Sequence, residues 1–235
     1  MRLEFTLPSD IDPSELEHEF AERVGRPLSM RWHFAAPNAR PRVAVLCSRE
    51  SHCLLDLLWR AAHEELPGQI VVVISTCDSH RQAVAAFDVP FECHEVGQGG
   101  MSAHEEALLT ALVGQVDLVV LARYMRVLSG AFLDRLAVPA INIHHSFLPA
   151  FAGANPYVRA HQRGVKLIGA TAHYVTEELD AGPIICQDVV RVSHRQSAED
   201  LERIGRDVER VVLANAVRAH LEDRVALCGV RTVVF

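Results

Sequence analysis

Basic residues, long apolar runs and paired cysteines are all scarce in this chain of 235 residues, and each scarcity closes off a class of function. The 23 Lys and Arg are outnumbered by 30 Asp and Glu, the formal net charge is −7, and the two signs are interspersed. With no basic stripe to neutralise phosphates, nucleic acid is not an expected partner. The longest apolar stretches, near residues 70–74 and 116–122, are strand-sized. Crossing a bilayer takes about 18–20 apolar residues, so no membrane span is expected. The start, Met1-Arg2-Leu3-Glu4, places an acid where a signal peptide is apolar, which points to a cytoplasmic chain. The six cysteines (Cys47, Cys53, Cys77, Cys93, Cys186 and Cys228) form no CxxC pair, and reduced thiols serving as small core residues are expected. Although there are 13 His, no HExxH motif and no zinc-type Cys/His spacing occurs, so neither a metal nor another cofactor is expected.

What is present is enough apolar material, 49% of residues, for one large domain or one domain with an appendage. The boundary falls near residue 40. Leu3, Phe5 and Leu7 alternate with polar residues, as do Met30, Trp32 and Phe34, and both patterns predict half-buried strands. Between them Asp12, Pro13 and Glu15 open a helix that carries Leu16, Phe20 and Val24 on one face and ends at Gly25. Residues 35–41 read as a linker. Residues 1–40 are thus a strand-helix-strand appendage, too small to fold alone and expected to pack on the body or on another chain.

Residues 41–235 alternate short apolar runs with helical patterns. Residues 43–47, 70–75, 117–121 and 140–143 lack the apolar-polar alternation of half-buried strands, as strands covered on both faces do. Leu54, Leu57, Leu58, Ala61 and Ala62 recur at helical spacing, and Ser102 with Glu105 predicts a capping box ahead of another helix. Further on come a helix opened by Asn155-Pro156, strands around Thr171 and Ile185, and a long helix from Ser197 with Leu201, Ile204, Val208, Val211 and Val212 on one face. The expectation is an α/β fold with a doubly wound, mostly parallel sheet.

In such a sheet ligands bind beyond the carboxyl ends of the strands, which draws attention to Ile141-Asn142-Ile143-His144-His145-Ser146. Asn142 and His144 project to the same side of a strand. An amide beside an imidazole can hold the oxyanion of a tetrahedral intermediate, and the imidazole can pass a proton. A carboxylate to orient the ring could come from Glu177, Glu178 or Asp180, all in a turn containing Gly182 and Pro183. Spacing does not choose among these acids, nor between this chemistry and a satisfied polar cluster at a strand end. Gly97-Gln98-Gly99-Gly100 lacks the Lys-Ser/Thr ending of a phosphate loop and reads as a connection.

Asn142-Ile143-His144-His145-Ser146-Phe147-Leu148-Pro149, followed by Leu179-Asp180-Ala181-Gly182-Pro183, resembles the signature of the folate-dependent formyltransferase and hydrolase superfamily. The resemblance spans residues 42–221. It implies a formyltransferase-like, Rossmann-type fold, a catalytic set of Asn142, His144 and Asp180, and a cis peptide before Pro149. It further implies a folate pocket drawn from Tyr124, Met125, Arg126, Val127, Leu128 and Ile141, with Val175 and Glu177 in a loop closing over the pterin ring.

Within that superfamily the amine-acceptor transferases carry a glycine-rich loop after the first strand, where backbone N–H groups approach a phosphate. Here that position reads Leu46-Cys47-Ser48-Arg49-Glu50-Ser51-His52-Cys53-Leu54, without glycine and with an added acid. This segment, the pair His144-His145 and residues 163–173 resemble the 10-formyltetrahydrofolate deformylases. The resemblance implies hydrolysis of 10-formyltetrahydrofolate, the substrate, to formate and tetrahydrofolate without a metal. His145 and His52 are candidates for positioning water, each with a structural role as the alternative, while His173 reads as a core histidine paired with backbone. Transfer to an amine such as glycinamide ribonucleotide is the alternative activity. A non-catalytic folate-binding protein is a second alternative. Deformylases carry an N-terminal ACT domain, and residues 1–40 resemble its second half only. Either translation starts further upstream or a remnant remains; its unpaired strand edges make a homo-oligomer the expectation.

Overall fold

In the computed structural model, residues 2–8, 11–30, 32–35, 40–97, 99–150 and 156–235 are described. The chain divides into a small unit, residues 1–39 with Phe235, and a large one, residues 40–234. In the small unit, helix α1 (Pro13–Phe20) is capped by Asp12, whose side chain accepts from the Ser14 backbone N–H at 2.8 Å, and runs into a π-helical turn, Ala21–Gly25. The predicted flanking strands are corrected: among the described residues neither 2–8 nor 32–35 enters a sheet. Their aromatic side chains gather instead, Phe20 meeting Trp32 and Phe34 edge to face and Phe34 meeting Phe5. Alternation marks a face to bury, but a strand also needs a hydrogen-bonded neighbour.

The large unit runs β1 (Arg42–Cys47), α2 (His52–Ala62), β2 (Gln69–Ser75), α3 (Arg81–Ala85), β3 (Phe91–Cys93), α4 (Gly100–Leu112), β4 (Leu118–Ala122), α5 (Gly130–Leu136), β5 (Ala140–His144), α6 (Pro156–Arg163), β6 (Leu167–Tyr174), β7 (Ile184–Arg191) and α7 (Ala198–Leu221). It ends in a hairpin of β8 (Val225–Cys228) and β9 (Arg231–Val234). The seven-stranded sheet has the order β3-β2-β1-β4-β5-β6-β7; its first five strands are parallel, while β6 and β7 are antiparallel. The strand order reverses between β1 and β4, which opens a crevice at their carboxyl ends.

The sheet is covered on both faces. Val43, Val45 and Cys47 of β1 pack with Leu54, Leu57 and Leu58 of α2 and Val212, Leu213 and Val217 of α7. The intervening Ala44 and Leu46 pack with Leu108 and Leu112 of α4 and Phe132 and Leu136 of α5. This double burial is why the strand sequences are continuously apolar.

Three expectations change. Helix α4 starts two residues ahead of Ser102, at Gly100, so the Ser102–Glu105 box does not form. The reciprocal box belongs to α7, between Ser197 and Asp200. The buried stripe of α7 runs Leu201, Gly205, Glu209, Val212 and Ala216, with Ile204 and Val208 half-buried and Val211 exposed. Of the cysteines only Cys47 and Cys53 are fully buried, and burial pushes the Cys47 thiol up to about 12 and the Cys53 thiol well above its usual value. Cys77, Cys93 and Cys186 are half-buried and Cys228 is exposed.

Candidate active site

Asn142 and His144 lie at the carboxyl end of β5, where antiparallel β6 sets His173 opposite Asn142 and Thr171 opposite His144. The chain leaving β5 is held by Thr171, whose hydroxyl donates to the Ser146 carbonyl (2.8 Å) and accepts from the Leu148 N–H (3.0 Å). Gln187 of β7 adds bonds to the Leu148 carbonyl (3.0 Å) and the Thr171 hydroxyl (2.9 Å). The Leu148–Pro149 peptide is cis, as expected.

The carboxylate comes from the turn between β6 and β7. Gly182 lies so close to β6 that a Cβ there would stand 1.7 Å from the Tyr174 carbonyl oxygen, and only glycine fits. Asp180 adopts φ +57°, a left-handed conformation that Asp and Asn tolerate better than most residues. The turn carries Asp180 Oδ2 to 3.1 Å from His144 Nδ1. Among the three acids, Asp180 is the one at His144; Glu177 and Glu178 are exposed on the same turn. A carboxylate only accepts, so His144 donates from Nδ1 and its Nε2 is left for chemistry. That Nε2 is buried without a hydrogen-bond partner among the described residues.

His173 is a core histidine bonded to backbone, through Nδ1 to the Tyr174 carbonyl (2.9 Å), and it also reaches the site. Its Nε2 lies 3.3 Å from Asn142 Nδ2 and 3.8 Å from Asp180 Oδ1. The hydrogen bond from His144, and then the nearby His173 ring, outweigh burial and hold the Asp180 carboxyl well below the usual carboxylate range.

His145 stands beside His144, ring centroids 5.3 Å apart, and edge to face with Tyr157 at 6.0 Å. Its Nδ1 takes a hydrogen bond from the Arg123 guanidinium. Burial first, and then that guanidinium, push His145 down to about 4. His52 bonds through Nε2 to Glu209 Oε2 at 2.8 Å.

The residues expected around the folate are distributed unevenly. Tyr124 and Leu128 are buried on the α4–α5 face of the sheet, with the Tyr124 hydroxyl on His104 Nε2, while Met125, Arg126 and Val127 are exposed. Ile141 is fully buried on the opposite face. Val175 and Glu177 line a groove of about 800 Å³ together with Gly130, Tyr174, Pro183 and Leu227.

Three residues at the site were not anticipated: Arg123, Tyr157 and Glu209. Arg123 directly follows β4 beside the crevice, so the strand-end rule that pointed to Asn142 would also have found it. No sequence signal marks Tyr157 or Glu209. His52, Cys53 and Glu209 bring three donor atoms within 4.8 Å of one another. A cation there would compete with bonds the carboxylate already accepts from His52 and Tyr157, and with the Arg123 guanidinium 3.5 Å away.

The formyl transferase family matches residues 41–217. A formyltetrahydrofolate deformylase of Mycobacterium tuberculosis is 51% identical over 221 residues, 94% of this chain and 71% of the relative. A formyltetrahydrofolate deformylase structure from Pseudomonas syringae superposes with a TM-score of 0.91 at 50% identity, covering 96% of this chain and 76% of that one. Glycinamide ribonucleotide transformylase 1 from Symbiobacterium toebii superposes with a TM-score of 0.79 at 31% identity, over 87% of this chain and 98% of that one.

Proposed function

The chain belongs to the formyl transferase family, and from that premise we propose that residues 41–235 hydrolyse 10-formyltetrahydrofolate to formate and tetrahydrofolate. The observation that carries the reading is the His144 imidazole, tied through Nδ1 to Asp180 and keeping a buried, unpartnered Nε2 at the end of β5.

Asn142 Nδ2 and the protonated His144 Nε2 donate to the formyl oxygen, and Asp180 orients His144 and stabilises the imidazolium. Water held by His145 attacks the formyl carbon while Asp180 draws off its proton. The tetrahedral intermediate then collapses, the carbon–nitrogen bond breaks, and the leaving nitrogen takes the proton that Asp180 drew from the water; the formic acid released ionises to formate, leaving tetrahydrofolate. The side chains or backbone of residues 124–128 and 141, with Val175 and Glu177 of the closing turn, bound the folate. His52 acts through Glu209. No cofactor enters this scheme.

Water rather than an amine is the acceptor because the β1–α2 connection is built without a phosphate cradle. It lacks glycine, and the Ser48 carbonyl is bonded to His80 Nε2 at 2.8 Å. The test is formate release with and without glycinamide ribonucleotide; turnover that requires the amine would make the chain a transferase.

The working form is a cytoplasmic homo-oligomer. In support of assembly, β8 and β9 form a separate two-stranded sheet whose hairpin carries exposed Leu227, Val230 and Val233. Light scattering on the purified chain tests the assembly; a monomer at working concentration contradicts it.

A further inference from the structure

Glu209, in the middle of α7, is only 1% exposed, and side chains from three other parts of the chain converge on it. Its Oε1 accepts from the Tyr157 hydroxyl of α6 at 2.6 Å, and its Oε2 from His52 Nε2 at the start of α2 at 2.8 Å. Arg123 Nε, just past β4, lies 3.5 Å from Oε2. Burial would raise this carboxyl, but the hydrogen bonds from His52 and Tyr157 and the nearby charge of Arg123 more than offset it and keep the group ionised.

Gly205, one turn earlier, shows that the helix is shaped around this cluster. A Cβ there would stand 2.0 Å from the Tyr157 hydroxyl oxygen. Glycine inside a helix is less favourable than alanine. A buried ion pair adds little net stability over apolar residues of the same volume. What the arrangement secures is geometry, and its output is one ring. Arg123 faces Glu209 as an ion pair on one side and hydrogen-bonds His145 Nδ1 on the other, while Tyr157 packs against the same ring. A guanidinium only donates, so His145 Nδ1 carries the lone pair and Nε2 the proton. The charged and titratable groups around that ring are Arg123, His144, Tyr157, Asp180 and Glu209.

We propose that Glu209 is a positioning residue for the hydrolysis, acting through Arg123 and Tyr157 to fix His145 beside His144 as the Nε2–H tautomer that holds the attacking water. This rests on the reading that His145 holds water, and the experiment separates the two. The kcat and KM for formate release are measured in Glu209→Gln, His145→Ala and the double variant. Glu209→Gln should lower kcat on the order of 10–10²-fold with KM unchanged, the cost of misplacing a reacting group. In the His145→Ala background it should lower kcat no further, because the ring it positions is gone. Independent multiplication of the two losses, or wild-type kcat in folded Glu209→Gln, overturns the proposal. Wild-type kcat in His145→Ala overturns the water-holding reading and this inference with it. Should Glu209→Gln fail to fold, Tyr157→Phe removes a single hydroxyl and runs the same cycle. A several-fold kcat loss that vanishes without His145 supports the proposal, and an additive loss overturns it.

Discussion

Replacing Asp180 with Asn removes one charge and almost nothing else. At φ +57° asparagine is the replacement that fits the backbone best, whereas alanine would add strain of its own. The amide oxygen can still accept from His144 Nδ1, now 3.1 Å from Oδ2, so the ring can stay in place. What is lost is the base that draws off the water's proton and, calculable from the geometry, the stabilisation of the imidazolium as charge develops on the formyl oxygen. Two unit charges about 4 Å apart at an effective dielectric of about 20 interact by about 4 kcal/mol. At about 1.4 kcal/mol per decade, that corresponds to about 10³ in kcat. Formate release at saturating 10-formyltetrahydrofolate gives kcat, folate binding is followed by calorimetry, and a melting curve checks the fold. The expected outcome is a folded protein that binds folate normally and turns over about a thousandfold more slowly. A variant within tenfold of wild type would mean that Asp180 does not hold the charge assigned to it.

Asn142→Ala removes one donor to the oxyanion and should cost about 10²–10³ in kcat with KM little changed; a loss confined to KM would make Asn142 a binding group instead. Gly182→Ala would press a methyl into the Tyr174 carbonyl, so both the melting temperature and kcat should fall as the Asp180 turn is displaced, and a fully active, equally stable variant would contradict the packing. Acid should begin to destabilise the protein above the carboxylate range. Folded His145 binds its proton near pH 4 and an unfolded histidine near 6.5, so across that window the unfolded chain holds more protons and stability falls as the pH drops. His104 and His220, also pushed down chiefly by burial, act in the same direction, whereas Asp180 adds its loss only as the pH falls below about 3.9. The slope of melting temperature against pH between 6.5 and 4.5 should be shallower in His145→Asn; an unchanged slope would show that the ring is not held neutral.

The doubly wound sheet was legible because strands buried on both faces are written as unbroken apolar runs, and helices such as α2 as apolar residues at helical spacing. The candidate trio of Asn142, His144 and Asp180 could be picked out only through its motifs, since neither strand spacing nor the turn separates Asp180 from Glu177 and Glu178. Their difference lies in Gly182, whose missing side chain lets the turn close on Tyr174. Where sequence reasoning went astray, the tertiary partner decided. Residues 2–8 and 32–35 alternate like strands yet enter no sheet among the described residues. Ser102 has the chemistry of a helix cap but sits inside α4. The buried stripe of α7 is shifted because it carries Gly205 and Glu209, which hydrophobicity assigns to the surface and which are buried for the sake of Tyr157, His52 and Arg123.

The most direct test of the central claim is formate release from 10-formyltetrahydrofolate by the purified chain, with and without glycinamide ribonucleotide, in the wild type and in Asp180→Asn. Release that needs no amine and is lost in the variant is the result expected of a hydrolase built on Asn142, His144 and Asp180. Turnover only when the amine is present, or turnover that survives in Asp180→Asn, would contradict it.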